Sequence, residues 1–242
     1  MRLDAHQYFT PEHTPEHLDT ILKRNRFEGS IAVARNAQET AQLLEIAARF
    51  DFVRGVIASG EVEQIRVWRA NPKLRGVVGL PSWPAGVFEQ IAEWGLPAEL
   101  EQLPLALELG RRVPSLRIAI VHLGLPEECP AWERAIAEAA LNPQFVAKAS
   151  GLITHGPKPW NAARFRPWVR QALAVFGRKR LMFGSDWPRT LPDNVWKEAL
   201  AAFTQAIGPQ SMETREWLLG GAAARFYGID ADCQALTGLT SA

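Results

Sequence analysis

The sequence predicts a single (β/α)8 barrel, the TIM-barrel class of α/β fold, and three observations predict it. Eight short apolar runs alternate with helix-period segments, the length suits that fold, and no glycine-rich phosphate loop is present. At 242 residues the chain is close to the ~250 residues typical of such barrels. Neither G-x-G-x-x-G nor G-x-x-x-x-G-K-[ST] occurs, which argues against a doubly wound sheet built around a nucleotide. The barrel is expected over residues 1–230, with short or distorted loops, and a C-terminal tail over residues 231–242.

Taken in order, the expected strands are RLDAH, GSIAVA, VRGVIA, LRGVVGL, a weaker LPAELE, LRIAIVHLG, FVAKAS and RLMFGSD. Between them, AQETAQLLEIAARF sets Leu43, Leu44, Ala47 and Ala48 at helical spacing, and PLALELGRRVP does the same with Leu105, Leu109 and Val113. Asn71-Pro72, Pro114-Ser115 and Asn142-Pro143 each punctuate a helix end before the next strand. Ser211 is expected to cap a last helix that runs into Gly220 and Gly221.

Charge narrows the partners. The 27 basic and 26 acidic residues are spread along the chain for a net charge of +1, so no footprint for nucleic acid or an anionic membrane stands out. A small molecule, or another copy of the chain, is the expected partner. No apolar run approaches the ~20 residues that span a bilayer, and the charged start MRLD lacks a secretory apolar core, so a cytoplasmic protein is expected. Cys129 and Cys233 lack the spacing of a zinc knuckle or redox pair and read as small apolar fillers.

In a (β/α)8 barrel the chemistry sits at the C-terminal ends of the strands. That rule selects His6, Tyr8, Arg35, Glu99, Glu101, His122, Lys148, Ser150 and Asp186. Two runs deliver their polar residue abruptly: IAIVHLG delivers His122 and LMFGSDWP delivers Asp186. A carboxylate left uncompensated at a buried strand end is costly, so Asp186 needs a partner or a role. DAHQYF begins like a metal-binding His-x-His pair, but Tyr8 takes the second position, and a phenol is a poor zinc ligand beside imidazole or carboxylate.

Several strings together carry a family resemblance: DAHQYF, ANPKLRGVVG, LRIAIVHLGLP, FVAKASGL, FGRKRLMFGSDWP and the closing GGAAARFYGI. They span the chain from its start to about residue 230. The sequence resembles the amidohydrolase superfamily, and within it the amidohydrolase-related, lactonase-like branch of fuconolactonase-type sugar lactonases and 2-pyrone-4,6-dicarboxylate lactonase. The resemblance implies a (β/α)8 barrel that hydrolyses an ester-like bond, often a lactone ring. His6, His122 and Asp186 take the matching catalytic positions, and Lys148 stands where the family usually has a lysine on strand seven.

On that reading Asp186 takes a proton from the attacking water, while His6 and His122 orient the water or donate to the oxyanion. A metal is either not required or is one divalent cation, zinc first, held by His6, His122 and Asp186. Tyr8, Arg35, Lys148, Trp187 and Arg189 are expected to contact substrate. The arginines suit a carboxylate, although each alone reads more readily as a surface or salt-bridging residue. Lys148 could equally neutralise a substrate anion or pair with Asp186 or a glutamate. Trp187, Trp160 and Trp83 are expected on loops around the barrel mouth; Trp94, Trp168 and Trp217 fall at packing positions. His155 reads as an exposed loop residue, and His13 and His17 as solvated. Short loops from VRGVIAS to PSWPAGVFE imply an open pocket, or one completed by a neighbour in a homo-oligomer. A metal-dependent decarboxylase of the same superfamily and a ligand-binding barrel without chemistry are the rival expectations.

Overall fold

The computed structural model describes residues 1–126, 131–156, 159–189 and 195–229; the expected tail, Cys129 and Cys233 lie outside the described residues. Eight parallel strands run in sequence order: β1 (Leu3–Gln7), β2 (Gly29–Val33), β3 (Val53–Ala58), β4 (Leu74–Val78), β5 (Ala98–Leu100), β6 (Ile118–Ile120), β7 (Phe145–Ala149) and β8 (Leu181–Phe183). Each coincides with an expected run, the weak LPAELE included. Parallel strands covered on both faces read as near-continuous apolar runs, which is why they were legible.

The connecting helices are α1 (Pro15–Arg24), α2 (Ala37–Arg49), α3 (Val62–Trp68), α4 (Ala85–Glu93), α5 (Leu103–Arg112), α6 (Trp132–Leu141), α7 (Leu152–His155), α8 (Ala162–Phe176) and α9 (Val195–Ile207). Side chains seal several N-termini: Thr14 accepts from His17 N and Asn36 from Glu39 N. The buried stripe of α2 is Thr40, Leu43, Leu44 and Ala47, while Ala48 turns to solvent; that of α5 is Leu103, Ala106 and Leu109, with Leu105 only half-buried. A period of 3.6 residues sets both stripes, and the expected Leu43, Leu44 and Ala47, and Leu109 and Val113, are buried.

Ser211 caps the last helical run as expected, accepting from Thr214 N. The run does not stop at the glycines. It passes from α10 (Met212–Glu216) through a π-helical turn (Trp217–Gly221) into α11 (Ala222–Tyr227). There it crosses the β1/β8 seam so closely that a Cβ on Gly220 would lie 2.6 Å from Leu3 N and 2.8 Å from Arg2 Cα. Only glycine permits that approach.

From this crossing α11 plugs the N-terminal end of the barrel. Ala222, Ala223, Phe226 and Tyr227 pack with Leu3, Ala5, Ile31, Val33, Ile57, Ala119, Val146 and Met182 in one buried cluster. Each large apolar side chain removed from water there is worth roughly 1.5–3 kcal/mol.

The opposite end of the seam is closed by backbone bonds beyond the regular strands. Asp186 N donates to His6 O at 2.8 Å, Tyr8 N donates to Trp187 O at 2.8 Å, and Gln7 and Trp187 form a parallel bridge. On β1 the register against β2 slips by one residue between Asp4 and Gln7. Such a bulge re-aims side chains: Leu3 and Ala5 join the inner cluster, Asp4 reaches outward to Trp196 on α9, and His6 and Tyr8 line the mouth.

Candidate active site

The C-terminal face holds a cavity of about 290 Å³, lined among others by His6, Tyr8, Arg35, Glu99, Glu101 and Arg189. A groove of about 470 Å³ adjoins it and shares Val33 and Arg35. His122 and Asp186, 3% and 0% exposed, are not among the lining residues and contact the cavity's wall residue His6 from behind. The three residues nevertheless converge. One ligand atom from each lies within 4.8 Å of the others. His6 Nε2 is 3.7 Å and His122 Nε2 4.0 Å from Asp186 Oδ1.

Local structure explains each placement. His6 follows the bulge in β1. His122 stands just beyond β6 in a left-handed turn, with φ of 51° at His122 and 55° at Leu123. Asp186 also has φ of 60°. Residues with a Cβ pay strain for such conformations, which persist where surrounding contacts impose them and cluster at functional sites. The glycine before Ser185 is imposed as well: a Cβ on Gly184 would lie 2.7 Å from His6 Cβ and 3.0 Å from Ser150 Cβ.

Hydrogen bonds then aim the groups. Thr154 Oγ1 donates to Asp186 Oδ2, Ser150 Oγ pairs with His122 Nδ1 at 2.9 Å, and Tyr8 Oη with His6 Nε2 at 2.9 Å. Among the described residues, His122 Nε2 and Asp186 Oδ1 remain buried without a hydrogen-bond partner. Orphaned buried atoms of this kind mark a place where something else belongs. Two imidazole nitrogens and a carboxylate oxygen, with a fourth position open, make a donor set that fits a divalent cation.

Electrostatics divide the groups into charged and neutral. Burial, and then the neighbouring His6 and His155, push His122 well below the usual histidine range, so its imidazole is uncharged. Burial and the Asp186 charge push the Tyr8 phenol up. Burial works against both charges of the Lys148–Glu99 pair, lowering Lys148 and opposing ionisation of Glu99. The 2.6 Å contact still wins for the carboxylate and holds Glu99 at about 2.

Not every expected residue reaches the site. Lys148 is fully buried, donating to Glu99 Oε1 and to Ala5 O, and does not line the cavity; its glutamate-pairing alternative holds. Trp187 is buried beneath Phe9, His13 and His17, whose rings meet it edge-on, and so is a floor for the first loop instead of a mouth wall. Trp83 packs on Phe88, and neither it nor Trp160 lines the cavity. Arg35 lines it but is tied to Glu39 at 2.7 Å. Arg189 lies over the Tyr8 ring, 5.3 Å from its centroid.

Three histidines differ from expectation because ring packing outweighs solvation. His13 and His17 stack on each other and are half-buried, and His155 is half-buried with its ring 4.5 Å from His122. The sequence reading also passed over Asp4, whose carboxylate accepts from Ser185 N, Ser185 Oγ, Trp196 Nε1 and His6 N. Thr154 and Tyr227 were passed over too. A charge inside the first apolar run was the one available signal for Asp4.

A (β/α)8 barrel with two histidines and an aspartate converging at the C-terminal ends of its first, sixth and eighth strands defines a hydrolytic enzyme class. The chain belongs to the amidohydrolase family, whose model matches residues 18–229. It is 28% identical to an L-fucono-1,5-lactonase of Burkholderia ambifaria, over 95% of this chain and 96% of that protein. It is 26% identical, with the same coverage, to an L-fucono-1,5-lactonase of Burkholderia multivorans. A crystal structure of a Burkholderia multivorans amidohydrolase with bound zinc superposes with a TM-score of 0.84 at 26% identity, covering 95% of this chain and all of that one. The first alignment runs over 287 positions, more than the 242 residues here, so that relative carries extra segments. Among the described residues no helix is long and apolar enough to cross a membrane.

Proposed function

We propose that this chain hydrolyses the ring ester of a small lactone, a sugar lactone first, with Asp186 as the water-activating base. The observation that carries the reading is the convergence of His6, His122 and Asp186 with two orphaned atoms turned toward one another. The likeness to L-fucono-1,5-lactonases supports the substrate class.

Asp186 Oδ1 accepts a proton from water as the water oxygen bonds to the ring carbonyl carbon. The carbon–oxygen ring bond then breaks and the proton passes to the departing alkoxide, leaving a hydroxy acid. Thr154 holds the other carboxylate oxygen, and uncharged His122 presents Nε2 to the water or the carbonyl oxygen. Arg189 and Tyr8 sit where they can contact the product carboxylate. His6, His122 and Asp186 would hold a divalent cation, zinc by the donor set and by the likeness to the zinc-bound relative, which when bound polarises the carbonyl and acidifies water.

The test is a pH-indicator assay on a panel of sugar and carboxylated lactones with wild-type protein and Asp186→Asn. Turnover of a lactone that Asp186→Asn abolishes is the expected result. No turnover of any lactone or ester, with ligand binding unchanged in Asp186→Asn, would replace this reading with a ligand-binding barrel.

A further inference from the structure

A chain of buried polar groups runs beneath His6. Tyr227, the last residue of α11, donates its hydroxyl to Glu99 Oε1 at 2.6 Å. Lys148 Nζ donates to the same oxygen at 2.6 Å and to Ala5 O at 2.7 Å. Among the described residues, the other oxygen of Glu99 has no hydrogen bond and faces His6 Nδ1, which equally has none, across 3.7 Å. That gap is too short to admit a bridging water and about 0.5–1 Å longer than an N–H···O bond. Two buried orphans facing each other call for a reason.

Their electrostatics select one tautomer. A lone pair on Nδ1 would set two acceptors against each other in a low-dielectric interior, one of them charged. A proton on Nδ1 sets a donor against that charge. Nε2 faces a carboxylate at the same distance, Asp186 Oδ1 at 3.7 Å, but it alone also has a hydroxyl donor, Tyr8 Oη at 2.9 Å, to fill its lone pair, so the proton belongs on Nδ1. Second groups that orient a histidine in this way act through its tautomer.

We propose that Glu99 is a positioning residue: it takes the Nδ1–H of His6, fixes that tautomer and so delivers the Nε2 lone pair to the reaction centre, while Lys148 and Tyr227 hold the carboxylate. The closing GGAAARFYGI string thereby acquires a role beyond packing. Its tyrosine connects the plug at the bottom of the barrel to the site at the top. The inference rests on the site proposed above but not on which ester it hydrolyses.

Nitrogen NMR of histidine-labelled, metal-stripped protein at mildly alkaline pH reads the tautomer directly, with the His6 signal assigned by its loss in His6→Asn. The expected wild-type result is a protonated Nδ1. Glu99→Gln, whose amide can donate to Nδ1, shifts His6 toward the other tautomer, and Glu99→Asp restores it in part. Finding wild-type His6 protonated at Nε2 overturns the proposal, and this readout needs no turnover. With an active lactone in hand, Glu99→Gln lowers kcat by about 10–100-fold while KM stays within about threefold. Tyr227→Phe lowers kcat by less. A folded Glu99→Gln enzyme with wild-type kcat also overturns it.

Discussion

The backbone N–H of Asp186 donates to the carbonyl oxygen of His6 at 2.8 Å, so a bond that closes the barrel also sets the spacing of two site residues. Asp4, two positions before His6, completes the clamp by gripping both the N–H and the hydroxyl of Ser185, at 2.8 and 2.6 Å. Barrel closure and site geometry are one set of interactions.

Asp4→Ala should therefore damage both. It leaves the Trp196 indole and the Ser185 N–H as buried donors without their acceptor, at a cost of about 2–4 kcal/mol. Denaturant unfolding should show the lower midpoint. A midpoint equal to wild type would mean the clamp contributes nothing to closure.

Asp186→Asn and Asp186→Ala should separate chemistry from backbone strain. Asparagine tolerates the left-handed backbone at φ of 60°, so that variant keeps its melting temperature and loses activity by about 10²–10⁴-fold. Alanine loses the same activity and adds about 1–2 kcal/mol of strain. Comparing kcat with thermal melts of the two variants measures each part.

Tyr8 and His6 share one side of β1 beyond the bulge, with the phenol hydroxyl 2.9 Å from the imidazole. Tyr8→His should restore a His-x-His pair and tighten divalent-metal binding by at least about tenfold, roughly 1.4 kcal/mol. Titration calorimetry with zinc checks it. His6→Asn, His122→Asn and Asp186→Asn should each weaken binding.

Acid should strip a defined part of the stability. Glu99 ionises at about 2 in the fold against 4.5 when free, a depressed carboxylate. Its contribution is thus complete above pH ~4.5 and is lost as pH falls toward ~2. Unfolding midpoints measured across that window should fall more steeply for wild type than for Glu99→Gln.

Arg189→Met should raise KM with kcat little changed, because an exposed guanidinium over Tyr8 binds ground state and transition state alike. Steady-state kinetics on the best lactone reads the split.

Much of this molecule was legible before its structure. The strands stood out because buried parallel strands leave no polar alternation to confuse them. His6, His122 and Asp186 stood out because each interrupts or ends an apolar run. The partners of Tyr227, Asp4 and Thr154 were not legible: they lie 128, 181 and 32 positions away, and no local pattern announces a bond across that distance. Lys148 was half legible. Its strand position showed, but its choice of Glu99 over substrate did not.

The sequence by itself determined the barrel, the order of its strands and the residues delivered to its mouth, because hydrophobic periodicity and strand-end position are local properties of the chain. Only the tertiary structure decided how those residues meet. The bulge in β1 and the plug of α11 arise where distant segments close the seam, and the left-handed turn at His122 arises where the end of β6 meets Ser150 beyond β7. There, long-range hydrogen bonds and close packing override local preference, making Trp187 a floor, Glu99 a brace and His6 the wall of the cavity.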